Sequence, residues 1–243
     1  MLKTERMDRV RAALRAQGLT QMIVCDPKSV WYLTGVAVEP YERLLALYLP
    51  TEGEPVLFLN RLFNVPEPPC RTVWHTDTDK PVAQIAEVVD AGRPLGIDKE
   101  WPAKFLIPLM ETHPGMQVVL SSDCVDDCRA CKDAEEQTLM REASRINDAV
   151  NEAAKHYIKA GMTEREVAEF IDAQFRAHGC EGPSFTTIVS FGANAADPHH
   201  EPDDTVLKEG DCVLFDMGCV KSRYCSCSYR RRPSGFLYPG FRC

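Results

Sequence analysis

The sequence predicts an α/β protein: an N-terminal α/β domain built on a mixed, covered sheet, followed by a second segment in which helices come first and strands after. Three observations carry this. Short apolar runs alternate with helix-period segments through the first half of the chain. From Ser122 to His178 the period is almost wholly helical. Beyond Gly182 the text turns to strands and loops, including "SFTTIVSFGANAADPHHEPDD" and "DCVLFDMG".

The elements follow in order. Met7, Val10, Ala13 and Leu14 fall on one helical face, and "QG" stops that helix near residue 17. "TQMIVCDP" is a short apolar run closed by Asp-Pro and reads as a strand. "RLLALYLPTEGEPVLFLN" reads as two strands joined at a Glu-Gly turn. A helix over 81–92, a strand over 94–97, a helix over 101–112 and a strand over 116–122 complete the first domain, expected as residues 1–121. In the second segment, "TEREVAEFIDAQFRAHG" opens on Thr163 and Glu166 as a capping box and closes on Gly179. No repeat or low-complexity tract interrupts the pattern.

Composition bounds the function. At 243 residues, with 44% apolar and 26% charged residues, the chain has the makeup of an ordinary globular protein of one large or two ordinary domains. No apolar run approaches the roughly 18 residues that span a bilayer, so no membrane partner is expected. The N-terminus is charged and helical in period, without the apolar centre of a signal peptide, which makes a cytoplasmic location the expectation. Net charge is −8, unevenly placed: residues 221–243 hold six Lys and Arg and no carboxylate, leaving 22 basic against 36 acidic residues before them. So acidic a body argues against a nucleic-acid partner, and the basic tail reads as a solvated terminus in preference to a binding patch. Eleven cysteines at irregular spacing predict reduced thiols over a disulfide framework.

Few residues are candidates for chemistry. His199 and His200 sit on a loop between "GANAADP" and "EPDD". Adjacent side chains on an extended backbone point opposite ways, so at most one is committed to a site. Asp216 ends the apolar run "CVLFDMG", where a charge needs a partner, a metal or water. Gly218 then permits a turn or a close approach. Cys124, Cys128 and Cys131 share one helical face, which fits either metal ligation or a small apolar stripe; the apolar reading is preferred, because no second pair completes a metal set.

Taken together, "AQGLTQMIVCDPKSVWYLTGV", "CKDAEEQTLMREASRINDAV", "GCEGPSFTTIVSFGANAADPHHEPDD" and "LKEGDCVLFDMGCVKSRYCS" resemble the pita-bread metallopeptidase family of creatinase, prolidase and aminopeptidase P, over residues 5 to about 226. The resemblance implies a creatinase-type N-terminal α/β domain followed by the first half of a pita-bread α+β domain (residues 122–226), with 227–243 an aberrant basic tail. It also implies Xaa-Pro peptidase chemistry on short proline-containing peptides and a homodimer in the intact family. Two divalent ions (Mn, Co or Zn) are held in that family by two aspartates, one histidine and two glutamates. Carried over by position, His199 matches the catalytic loop histidine and Asp216 the first metal aspartate. Cys227 stands where the second aspartate belongs.

Two expectations follow. One ligand of five predicts an inactive or nearly inactive chain, with a non-enzymatic binding or oligomerisation remnant of the same fold as the alternative. The loss of pattern after Ser226 is what an out-of-frame ending produces, so a truncated chain is expected. Its half-domain is expected to leave an exposed apolar sheet edge and to be poorly stable as a monomer, while residues 1–121 fold alone.

Overall fold

The computed structural model describes residues 2–233 and divides the chain into two compact units, Met1–Cys131 and Lys132–Cys243. In the first unit, helix α1 (Thr4–Ala16) leads into strand β1 (Gln21–Val24), helix α2 (Pro27–Thr34) and strands β2 (Ala46–Pro50), β3 (Val56–Asn60) and β4 (Arg71–His75). Helix α3 (Pro81–Ala86), β5 (Leu95–Ile97), α4 (Ala103–Thr112), β6 (Val118–Leu120) and α5 (Asp123–Ala130) follow.

The six strands form one sheet in the order β4-β3-β2-β1-β5-β6. β1 pairs antiparallel with β2, and β2 with β3, whereas β3–β4, β1–β5 and β5–β6 are parallel. The sheet is therefore mixed, as the alternating text predicts. Its central strands β1, β2 and β3 are buried on both faces, and side-chain alternation feeds two separate cores. Met22, Val24, Leu47, Leu49, Leu57 and Leu59 pack with Met7, Val10 and Leu14 of α1 on one face. Ile23, Ala46, Val56 and Phe58 pack with Ile85, Leu95 and Leu109 on the other.

Two elements escape the sequence reading. Asp26-Pro27 closes β1 but also opens α2. Asp26 accepts hydrogen bonds from Ser29 N (2.9 Å) and Ser29 Oγ (2.7 Å), Pro27 stands at the first helical position, and Gly35 ends the helix at φ 75°. β4 lies behind the proline-rich "VPEPPC" and pairs with β3 at the sheet's edge.

The two units divide after Cys131. α5 belongs to the first unit, because Cys124 and Val125 are buried in the core that α1 covers.

In the second unit, α6 (Ala134–Tyr157) and α7 (Glu164–Ala177) precede β7 (Gly182–Pro183), β8 (Ile188–Phe191) and a 3-10 turn (Gly192–Ala196). Then come β9 (Cys212–Met217), β10 (Cys219–Lys221), β11 (Tyr224–Cys225) and β12 (Ser228–Pro233). The predicted capping box is formed: Glu166 N donates to Thr163 Oγ1 at 3.2 Å, and Thr163 N donates to Glu166 Oε2 at 2.8 Å. Gly179 stops α7 at φ 70°.

The strands form two antiparallel sheets, β12-β9-β8 and β11-β10-β7. Val213, Phe215 and Met217 of β9 pack on Val150, Val167, Ile171 and Phe175 of the helices. β9 and β10 are one continuous strand bent at Gly218. A Cβ there would lie 2.1 Å from Ser226 O and 2.3 Å from Ser184 Oγ. Close backbone approach is thus what demands the glycine.

The pattern does not end at residue 226. Ser228–Pro233 continues the sheet as β12, with Tyr229 opposite Asp216 and Arg230 opposite Phe215. β12 carries the sequence SYRRRP. A strand's backbone pairs whatever its side chains, so a carboxylate-free stretch still completes the ladder. The rest of the expected tail, residues 234–243, lies outside the described residues.

Candidate metal-facing strand end and its loop

Asp216 lies one residue before the end of β9, paired with Ile188 on one side and Tyr229 on the other. Because Val213, Phe215 and Met217 face the helices, alternation turns Asp216 to the opposite face of the sheet. Its neighbour there is Cys227, whose Sγ approaches Asp216 Oδ1 to 3.8 Å. Burial raises the Asp216 carboxyl above the usual range, and the thiol's hydrogen bond pulls it partly back. Burial, with the Asp216 charge beside it, pushes the Cys227 thiol upward as well. Asp216 thus lies beside Cys227, the position that the family resemblance sets against it.

That donor set does not fit a dinuclear centre. Two cations sharing a water need hard, bridging carboxylates, and a thiol must lose its proton before it binds any ion. The group recorded beside Asp216 is that thiol, at 3.8 Å.

His199 is exposed on the loop beyond the 3-10 turn, its backbone N–H donating to Asp197 Oδ1 at 2.9 Å. The loop leaves β8 at Phe191, opposite Val213, whereas Asp216 is opposite Ile188. No hydrogen bond or ion pair among the described residues joins His199 to Asp216.

His200 turns the other way. Its Nε2 lies 2.6 Å from Glu164 Oε2, and Glu164 is fully buried. Asp203 N also donates to Oε2, at 3.2 Å, while Phe191 N (2.7 Å) and Asn194 Nδ2 (3.0 Å) donate to Oε1. Sequence reasoning missed Glu164, which reads as an ordinary first-turn acid of α7. Glu164, His200 and Asp203 have ligand atoms close enough to hold an ion. Yet both Glu164 oxygens already accept two hydrogen bonds each, and Asp203 Oδ1 accepts from Thr205 N at 2.7 Å. The group is closely hydrogen-bonded to its own loop and helix start.

Cys124, Cys128 and Cys131 do not converge on a metal. Cys124 is buried in the first unit's core with its thiol pushed up to about 11, Cys128 packs against that core, and Cys131 is exposed beyond the helix end. The apolar reading of that stripe holds for the first two.

Comparison with known proteins gives these observations a context. Residues 6–131 match the creatinase/prolidase N-terminal domain, and residues 138–236 match metallopeptidase family M24. A putative dipeptidase of Bacillus subtilis is 30% identical over 236 residues, covering 91% of this chain and 63% of its own. An uncharacterized peptidase of Staphylococcus aureus is 33% identical over 214 residues, covering 84% and 58%. Among solved structures, dipeptidase PepE from Mycobacterium ulcerans superimposes with a TM-score of 0.84 at 30% identity, over 94% of this chain and 63% of that one. A prolidase from Thermococcus sibiricus gives 0.86 at 28%, over 98% and 68%. The chain thus spans about three fifths of the length of the curated relatives it matches.

Proposed function

The chain belongs to metallopeptidase family M24, with a creatinase/prolidase N-terminal domain, and from that premise we propose an Xaa-Pro peptidase scaffold whose 243 residues do not by themselves complete the hydrolytic centre. The substrate class is short peptides with proline after the scissile bond, acted on with the help of Mn, Co or Zn ions. Asp216 is the first metal carboxylate and His199 the loop histidine that assists at the scissile amide. The observation that carries this reading is the pairing of Asp216 with Cys227 at 3.8 Å, a thiol in the place of the second carboxylate.

Supporting it, the family's arrangement uses carboxylates to share charge between two cations, and one desolvated carboxyl beside a protonated thiol cannot do so. In this chain Asp216 and His199 bind and orient at most one end of a peptide. Calorimetric titration of the full chain with Mn²⁺, Co²⁺ and Zn²⁺, run beside an Xaa-Pro hydrolysis assay, tests the proposal. Two ions bound per chain with turnover would refute it.

The self-contained N-terminal unit, with a core on each sheet face, favours a second reading: a binding or oligomerisation module, homodimeric or joined to a longer relative. A folded, metal-free chain that co-purifies with such a relative would support it, and a strictly monomeric one would not.

A further inference from the structure

We infer that the buried Glu164–His200 pair is a positioning device: it pins one histidine of the adjacent pair inward so that its neighbour, His199, is the one presented outward. This inference rests on the reading of His199 as the working histidine, and its test is independent of that reading.

Glu164 is the first residue of α7, a rigid helix anchored in the second unit's core by Val167, Ile171 and Phe175. Its carboxylate is reached by donors from three separate stretches: Phe191 N at the end of β8, Asn194 Nδ2 in the 3-10 turn, and His200 Nε2 with Asp203 N in the loop. A buried carboxylate only accepts, so Nε2 of His200 carries the proton of the 2.6 Å bond. Asn194 Nδ2 also reaches Thr205 Oγ1 at 3.2 Å.

The backbone closes the same loop from behind. Glu164 N donates to Thr205 O, Arg165 N to Asp203 O, and Leu207 N to Met162 O, which lays residues 203–207 along the entry to α7. Both ends of the loop that carries His199 are thereby fixed to one helix start.

The consequence for His199 is directional. Asp197–His200 form a turn closed by His200 N donating to Asp197 O at 3.4 Å; with the 200 side chain held inward on Glu164, His199 is exposed while His200 is half-buried. A single buried acceptor with four donors has no substitute in an apolar surround. Removing it frees the whole loop, and exposure then ceases to distinguish the two imidazoles.

The test uses the full chain without metal or substrate. Carbethoxylation of His199 and His200 by diethylpyrocarbonate is followed by peptide mass spectrometry, while amide exchange is read over 192–206 and over α7. In the wild type, His199 is expected to react at least about tenfold faster than His200. In Glu164→Ala that ratio should fall to about two or less, with exchange protection lost over 192–206 and kept over Val167–Phe175. Glu164→Gln, which keeps one acceptor oxygen, should restore part of the ratio. If His200 reacts as fast as His199 in the wild type, the proposal is wrong. The same holds if Glu164→Ala leaves the ratio unchanged, or if protection falls equally across α7, which is the signature of a merely structural residue. Absence or presence of hydrolysis leaves each of these readouts untouched, so the two claims fail separately.

Discussion

Replacing Cys227 by aspartate puts a second carboxylate beside the first. The thiol sulfur now lies 3.8 Å from Asp216 Oδ1, so the new carboxylate would stand at about that separation. Two unit charges about 4 Å apart repel by about 4 kcal/mol at an effective dielectric constant of 20. Position 227 is exposed, and solvent screening reduces the penalty to about 1–2 kcal/mol, roughly one pK unit for the pair's second ionisation.

The Asp216 carboxyl is already raised by burial, and the new charge raises it further. A carboxyl whose folded pKa lies above its unfolded value holds more protons in the native state, so stability is greatest in acid and falls as pH climbs through that window. Metal-free C227D should therefore match the wild type in urea denaturation near pH 4 and lie about 1–2 kcal/mol below it at pH 7. A divalent cation reverses the sign, because it binds the charged pair: at about 100 times its Kd it restores about 2.7 kcal/mol. Manganese or zinc should accordingly raise the midpoint of C227D at pH 7, with little effect on the wild type. An equal difference between C227D and the wild type at the two pH values, together with a midpoint indifferent to both ions, would show that positions 216 and 227 do not form the paired site argued above.

Two further perturbations test the scaffold. Gly218→Ala forces a Cβ to within 2.1 Å of the Ser226 carbonyl, a backbone atom that cannot swing aside, and should lower stability by about 3 kcal/mol in denaturant titration. A loss under about 0.5 kcal/mol would mean that the strand bend is loose. Ser222 and Arg223 occupy a two-residue hairpin turn at φ 49° and 66°, the turn that favours Asn-Gly. The double change S222N/R223G should add about 1 kcal/mol, and Arg223 N can keep its bond to Glu181 Oε1 because it is a backbone group. A decrease would point to a role for the Arg223 side chain.

Much of the first unit is legible because its strands carry their own burial pattern: alternate residues of "MIV", "ALYL" and "VLFL" divide between two cores. The turn into α2 was obscured by the double meaning of Asp-Pro, which ends a strand as readily as it caps a helix. Ser29, two residues beyond Pro27, is the signal that separates the two, since it is Ser29 that bonds Asp26. At the candidate site, it is the family resemblance that matched Cys227 to the carboxylate beside Asp216, and the structure sets its Sγ 3.8 Å from Asp216 Oδ1. Glu164 was invisible in the sequence. Its donors come from residues 27 to 39 positions away, and no periodicity within a helix announces that its first acid will be buried by a distant loop.

The strand Ser228–Pro233 has one more consequence, which concerns other molecules of the same protein. Three consecutive arginines and a final proline form the outer strand of the sheet β12-β9-β8. A second strand brought alongside would meet Pro233, which has no N–H to offer it. That missing donor makes this strand a poorer template for the edge-to-edge pairing by which exposed strands form aggregates.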